Sequence, residues 1–308
     1  MRRQKSNLNK SSLPSRVDSL IWNDQRVYIK RDDLLDPLFS GNKYRKLYYY
    51  LQQSPFNYSK IISYGGIQSN AMLSMAALAF EKELPFIYYT RYLPNNLSLD
   101  MKSNYSQALA LGMSVEVLPL KSDEDLRTHL LKNSDKERLF IPQGGASLEA
   151  RYGVELLAQE IATWKESENI DKLIVATPSG TGTTALWLHE YLKNRGIEVV
   201  TTAVVGSTDY LKEQMLRVAP TATLPMIIET EKNYPFAKPN TGLYRQYQNF
   251  LDKGISFDLI YATVMWQALE ENQNILKGKT LLYVHSGGLM GNESQLKRYQ
   301  KLLAKLTD

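Results

Sequence analysis

The chain has no cysteine, which excludes disulfides, thiol catalysis and thiolate metal sites together. Histidine is nearly as scarce, with three residues. His129 and His189 fall in amphipathic helical runs and His285 closes an apolar strand. None has a partner at metal-ligand spacing, so no metal site is expected. Long apolar runs are also missing. The stretch 73–80 is short and gives way to Glu81-Lys82-Glu83, well below the length that spans a bilayer. The start, Met1-Arg2-Arg3-Gln4-Lys5-Ser6, is basic but lacks the apolar core of a signal peptide. A cytoplasmic protein without a membrane partner is expected. There is no repeat and no low-complexity segment. The formal charge of +5 is interleaved with acids over 121–138 and 149–172 and concentrated only in the first dozen residues and in 297–305. That pattern suits solvated helix faces and not a nucleic-acid partner. It leaves a weak bias towards anionic substrates.

What is present is a long, apolar-rich α/β pattern. At 308 residues and 43% apolar content, two packed lobes are expected. Strand-like runs at 61–64, 86–90, 114–118, 139–142, 173–176, 199–205, 226–229 and 281–285 alternate with helical ones at 43–53, 71–82, 105–111, 122–131, 148–166, 184–195, 211–218, 242–252 and 264–274. This alternation predicts doubly wound open sheets. Tyr48-Tyr49-Tyr50 is one helical turn spread over several faces, not a stacking platform.

Three segments carry chemistry. In Ser40-Gly41-Asn42-Lys43-Tyr44-Arg45-Lys46-Leu47 a turn delivers Lys43 to a helix start. The positive helix end and the neighbouring Arg45 and Lys46 all disfavour its protonation, so it should present a neutral, nucleophilic amine. Residues 60–64 form a buried strand broken by Gly65-Gly66, with Gln68-Ser69-Asn70 opening the next helix. Backbone donors and polar side chains there aim at one place. After the strand 173–176, Thr177-Pro178-Ser179-Gly180-Thr181-Gly182-Thr183-Thr184 is a glycine and hydroxyl loop suited to a phosphate. Each is weak alone. A lysine in such a turn is otherwise a solvated charge, and Ser69 or Asn70 an ordinary helix cap.

Taken together and in order, these segments resemble the tryptophan synthase β-like (fold type II) enzymes that use pyridoxal 5'-phosphate (PLP), in the branch of 1-aminocyclopropane-1-carboxylate (ACC) deaminase and D-cysteine desulfhydrase. The resemblance covers about 29–290 and includes Lys30-Arg31-Asp32-Asp33, Gly41 to Leu47, Gly65 to Asn70, the phosphate loop and Tyr283-Val284-His285-Ser286-Gly287-Gly288. It implies a large PLP-binding lobe of 1–47 plus 146–308, a small lobe of 48–145, a cofactor cleft between them, and a homodimer.

By the same resemblance, Lys43 would bind PLP covalently and move protons at the substrate α-carbon. Asn70 would meet the phenolic oxygen. Gln68, Ser69 and Asn70 would face the substrate. Gly180, Thr181, Gly182 and Thr183 would hold the phosphate, and Ser286 would face the pyridine nitrogen, where a neutral hydroxyl suits elimination. The family's Asp-Pro-Val-Tyr-Glu segment is Asp258-Leu259-Ile260-Tyr261-Ala262 here, and Ser286 stands where ACC deaminases have leucine. Both changes weigh against ring opening. A family tyrosine is replaced by Phe236, so the acid would be Tyr261 or Tyr234. The expected function is therefore a PLP-dependent lyase or deaminase of small amino acids, most simply D-cysteine desulfhydrase, with Lys43, Ser69 and Tyr261 as catalytic groups. The alternatives are an ACC deaminase on the same scaffold and a PLP or amino-acid binding protein without turnover.

Overall fold

A computed structural model describes residues 13–39, 41–94, 103–133 and 136–307. Ser40 of the lysine turn and the basic first dozen residues lie outside the described residues.

Two sheets organise the chain. The smaller is wholly parallel and is built from β3 (Lys60–Tyr64), β4 (Phe86–Thr90), β5 (Met113–Val117) and β6 (Arg138–Phe140), in the order β5-β4-β3-β6. Its helix α2 (Asn70–Glu81) is buried from Ala71 to Ala79. A helix apolar all round has to be enclosed, and Ile61, Phe86, Tyr88 and Leu47 enclose this one.

The larger sheet has the order β1-β2-β10-β7-β8-β9. Its members are β1 (Val17–Trp22), β2 (Gln25–Lys30), β7 (Leu173–Ala176), β8 (Ile197–Thr201), β9 (Met226–Ile227) and β10 (Thr280–Val284). All pair parallel except β1 with β2. One face is covered by α5 (Ala150–Ser167) and α6 (Thr183–Leu192), the other by α8 (Thr241–Asp252) and α9 (Ala262–Glu271). Central strands buried on both faces explain the unbroken run Leu173-Ile174-Val175-Ala176.

Most predicted elements are present within a few residues. Two were not anticipated. β1 and β2 form a hairpin whose two-residue loop, Asn23-Asp24, holds φ at 49° and 59°. Both values are those of the tight turn that matches strand twist, with asparagine and aspartate tolerating what other side chains resist. The basic 297–305 segment keeps Lys297, Arg298, Lys301 and Lys305 exposed, as a solvated helix face would. It belongs to α10 (Asn292–Thr307), which buries Tyr299 in a stack on Tyr244 with ring centroids 4.8 Å apart.

The lysine-bearing helix α1 (Asn42–Gln52) packs on both α2 and α5. Its approach to α5 is close. A Cβ on Gly153 of α5 would lie 2.0 Å from the Arg45 carbonyl oxygen, so glycine is required there despite costing a helix interior about 1 kcal/mol.

Candidate active site

Lys43 lies in the first turn of α1, behind Gly41. Gly41 has φ of 53°, and a Cβ there would meet the Ser286 carbonyl oxygen at 2.5 Å. Only glycine fits. The same carbonyl accepts the Asn42 N–H at 3.1 Å, so the loop after β10 fixes the start of the lysine helix. The Lys43 ammonium has one described hydrogen bond, to Asn42 Oδ1 at 2.8 Å. Burial pulls it down to about 8, and the charge of Asp258 opposes that. The sequence argument anticipated the direction but not the cause. Arg45, expected to repel Lys43, is turned away into ion pairs with Asp32 and Glu160.

Lys46 shares the face of Lys43, since positions three apart on a helix are neighbours. Its Nζ donates to the Gly144 carbonyl at 3.1 Å and reaches Thr181 Oγ1 at 3.4 Å. Burial, then the Lys43 charge, holds it well below the ordinary lysine range. The sequence reading treated Lys46 as a mere neighbour. Its spacing from Lys43 was the available signal.

The glycine and hydroxyl loop runs into α6. Gly182, with φ of 72°, precedes the helix, and Thr181 and Thr183 hydroxyls lie 3.0 Å apart. A positive helix terminus, paired hydroxyls and the amine of Lys46 converge here, which is the donor set an anion such as phosphate requires. Lys43, with an amine whose proton burial loosens and no carboxylate bonded to it, suits an aldehyde. The residues present therefore fit PLP.

Ser69 caps α2, its oxygen accepting from the N–H groups of Ala71 and Met72 at 3.1 and 3.4 Å. Gln68 is exposed and Asn70 half-buried. The Asn70 Nδ2 lies 3.0 Å from where a Gly288 Cβ would stand. Ser286 Oγ is 3.5 Å from Thr177 Oγ1. The loop it sits on is pinned by His285, which accepts the Gly287 N–H on Nδ1 at 3.2 Å and meets the Ser256 carbonyl through Nε2 at 2.7 Å. These bonds require the neutral tautomer with hydrogen on Nε2. No group of residues suited to a metal ion exists among the described residues.

Tyr261 places its ring against Gly180, whose Cβ would be 3.4 Å from the hydroxyl oxygen. Burial, then the nearby Asp258 charge, pushes this phenol far above its usual range, so it is a proton donor and not a base at neutral pH. Asp258 is buried and takes the N–H groups of Ile260, Tyr261 and Ala262. Burial raises its carboxyl, against these donors. Phe236 lies edge-on to Tyr261 at 5.8 Å and is 51% exposed. Tyr234 packs beside Tyr261 in the same small apolar cluster. Pairwise contacts thus connect the predicted residues: Tyr261 lies against Gly180, the Ser286 carbonyl against the turn that carries Lys43, Lys46 against Thr181, and Phe236 edge-on to Tyr261.

No family model matches the chain. Among curated proteins it is similar to the ACC deaminase of Cyberlindnera saturnus, at 27% identity over 92% of this chain and 90% of that protein. The ACC deaminase of Pseudomonas syringae pv. tomato is 24% identical over 85% and 86%. The bifunctional D-cysteine desulfhydrase/ACC deaminase of Arabidopsis thaliana, a mitochondrial protein, is 23% identical over 87% and 74%. Among solved structures, an ACC deaminase homologue superposes with a TM-score of 0.73, at 24% identity over 94% of this chain and 95% of the other. An O-acetyl serine sulfhydrylase, isoform 3 from Entamoeba histolytica, follows the same fold with a TM-score of 0.63 at 14% identity over 93% and 89%. The fold is the tryptophan synthase β-like fold.

Proposed function

We propose, from the premise that this chain is a homologue of the ACC deaminase group of fold type II PLP enzymes, that it is a D-cysteine desulfhydrase: a lyase that splits D-cysteine into pyruvate, sulfide and ammonia. The observation that carries a PLP-dependent lyase or deaminase is the pairing of Lys43, an amine held near pKa 8, with the amine and hydroxyl cradle of Lys46, Thr181 and Thr183. When bound, PLP supplies an aldehyde that captures the substrate amine and a sink for negative charge at its α-carbon.

The chain's own groups do the rest. Gly180, Thr181, Gly182, Thr183 and Lys46 would hold the phosphate, Asn70 would donate to the phenolic oxygen, and Ser286 would face the pyridine nitrogen. Gln68 and Ser69 meet the substrate carboxylate, Ser69 using its O–H while its lone pairs cap α2. Lys43 takes the α-proton. The C–S bond at the β-carbon breaks, and Tyr261, protonated, supplies the proton to sulfur. Water then releases the remaining nitrogen as ammonia. Net, D-cysteine and water give pyruvate, hydrogen sulfide and ammonia. We assign this site to a cleft between lobes of 48–145 and of 1–47 plus 146–308, in a homodimer.

Elimination is favoured over ring opening by two positions. Ala262 is 2% exposed at the start of α9 and offers a methyl where the resemblance calls for a carboxylate. Ser286 offers a hydroxyl in place of leucine. Phe236 supplies an apolar edge beside Tyr261 and leaves the latter as the sole phenol against Gly180.

The test is pyruvate release by the PLP-loaded protein from D-cysteine, L-cysteine and, by its four-carbon keto acid, ACC. Pyruvate from D-cysteine alone is expected. Keto acid from ACC would make it an ACC deaminase, and silence on all three with the lysine-linked chromophore present would make it a binding protein. Lys43→Ala should lose the borohydride-reducible PLP adduct together with turnover. Retention of both would sink the assignment of Lys43.

A further inference from the structure

Asn104 opens α3 (Asn104–Ala110) and is 3% exposed. Its Nδ2 donates to two acceptors, the Gln68 carbonyl at 3.0 Å and Asn70 Oδ1 at 2.8 Å. The first contact settles the second. A backbone carbonyl can only accept, so the edge of Asn104 facing Gln68 must be its NH2. The same NH2 reaches Asn70, which must therefore turn its oxygen towards Asn104. The Asn70 NH2 is then forced the other way, towards Gly288, where a Cβ would stand 3.0 Å from it. Among the described residues that NH2 has no protein acceptor. The Asn104 oxygen, for its part, is buried without a partner, so the residue is present for its donor.

We infer that Asn104 is a positioning residue for the cofactor site, which locks the Asn70 amide with its N–H donors facing the cleft and ties the Gln68 loop to the same point. The inference rests on the PLP reading above. A single NH2 fixes both the loop that meets the substrate carboxylate and the amide that meets the phenolic oxygen of PLP. Nothing in the local sequence of Asn104 announces this.

The test replaces the donor by an acceptor of the same shape. In Asn104→Asp the new oxygen repels the Asn70 carbonyl, and the amide turns over to present oxygen to the ligand. Titration of the apoprotein with PLP should show Kd raised about tenfold, the scale of one lost hydrogen bond to an ionised oxygen. The absorbance maximum of the bound chromophore should move, with thermal stability matched to wild type. Because the effect passes through Asn70, it should shrink to less than about twofold when introduced into Asn70→Ala.

An unchanged Kd and spectrum in Asn104→Asp, beside a normal wild-type chromophore, overturns the assignment alone. So does a weakening that persists in full without Asn70, since that is generic damage. Wild type that forms no reducible chromophore overturns both this inference and the PLP reading. If Asn104→Asp does not fold, Asn104→Ser, whose single O–H cannot serve both acceptors, carries the same expectations.

Discussion

Arg45 and the lysines on either side of it sit within one turn of α1 and meet opposite fates. Arg45 is wholly buried and fully answered. It forks onto Asp32 at 3.0 and 2.9 Å and onto Glu160 at 2.7 and 2.8 Å. Glu160 also pairs with Lys30 at 2.6 Å, and Ser15 donates to Asp32 at 2.6 Å. Burial works against its charge, but the two carboxylates more than offset that. Lys43 and Lys46 are screened from water with no carboxylate bonded to them, and both lose protons readily. The helix thus separates a cation that anchors from cations kept unanswered, and helical geometry alone does the sorting: residues two apart point away from each other, residues three apart point together. Asp32 of the Lys30-Arg31-Asp32-Asp33 motif accordingly serves α1. The motif's Arg31 closes on Asp18 and Asp33 at 2.6 and 2.8 Å.

The contrast can be broken most severely at Arg45. Arg45→Met leaves two buried carboxylates facing Lys30 alone, and the loss should be about 3–5 kcal/mol, read as a drop in the denaturant midpoint. Arg45→Lys should fall between, because an ammonium cannot fork onto both partners. Lys46→Met should do the reverse, leaving stability equal or higher while PLP affinity falls about tenfold through the lost phosphate contact, measured by titrating the apoprotein.

Acidity gives a finer comparison. Below pH about 8 Lys43 is charged whether folded or unfolded, and the whole cost of burying that charge is felt. Between about 8 and its ordinary 10.5 the unfolded chain still binds a proton that the folded one has shed, so stability rises with pH across that window. Lys43→Met should remove that increment from the pH dependence of the apoprotein's thermal midpoint, and amine labelling of Lys43 should rise through about 8. The smallest effect is local: Ser69→Ala removes the cap of α2 and should cost about 1 kcal/mol, seen in the midpoint, together with a higher KM.

Much of this was legible because the helices and the buried strands announce themselves by apolar period and by glycine breaks. The lysine turn, the Ser69 cap and the phosphate loop are contiguous in sequence, so local rules reach them. Asn104 and Glu160 act across long separations, and no local pattern marks a residue whose partner lies far along the chain. The β1 and β2 hairpin escaped because its turn uses Asn-Asp in place of the glycine that usually signals such a loop. In 297–305 four basic residues are mixed with as many apolar ones, so nothing in the segment marks Tyr299 as the buried anchor of α10. The direction of the Lys43 shift was foreseen, while its cause, burial and not the charge of Arg45, needed the packing.

The place of β10 has a consequence for biosynthesis. It fills the gap between β2 and β7, and is made after both of them. Until Thr280–Val284 emerges, a nascent chain carries two unpaired parallel edges where the finished sheet has none, edges that invite pairing with neighbouring chains. Ser286, whose carbonyl seats the lysine turn, arrives two residues later still. Seating of the lysine turn therefore waits until residue 286 has been made, and a chain cut short before residue 280 lacks both the central strand and the carbonyl that holds Asn42.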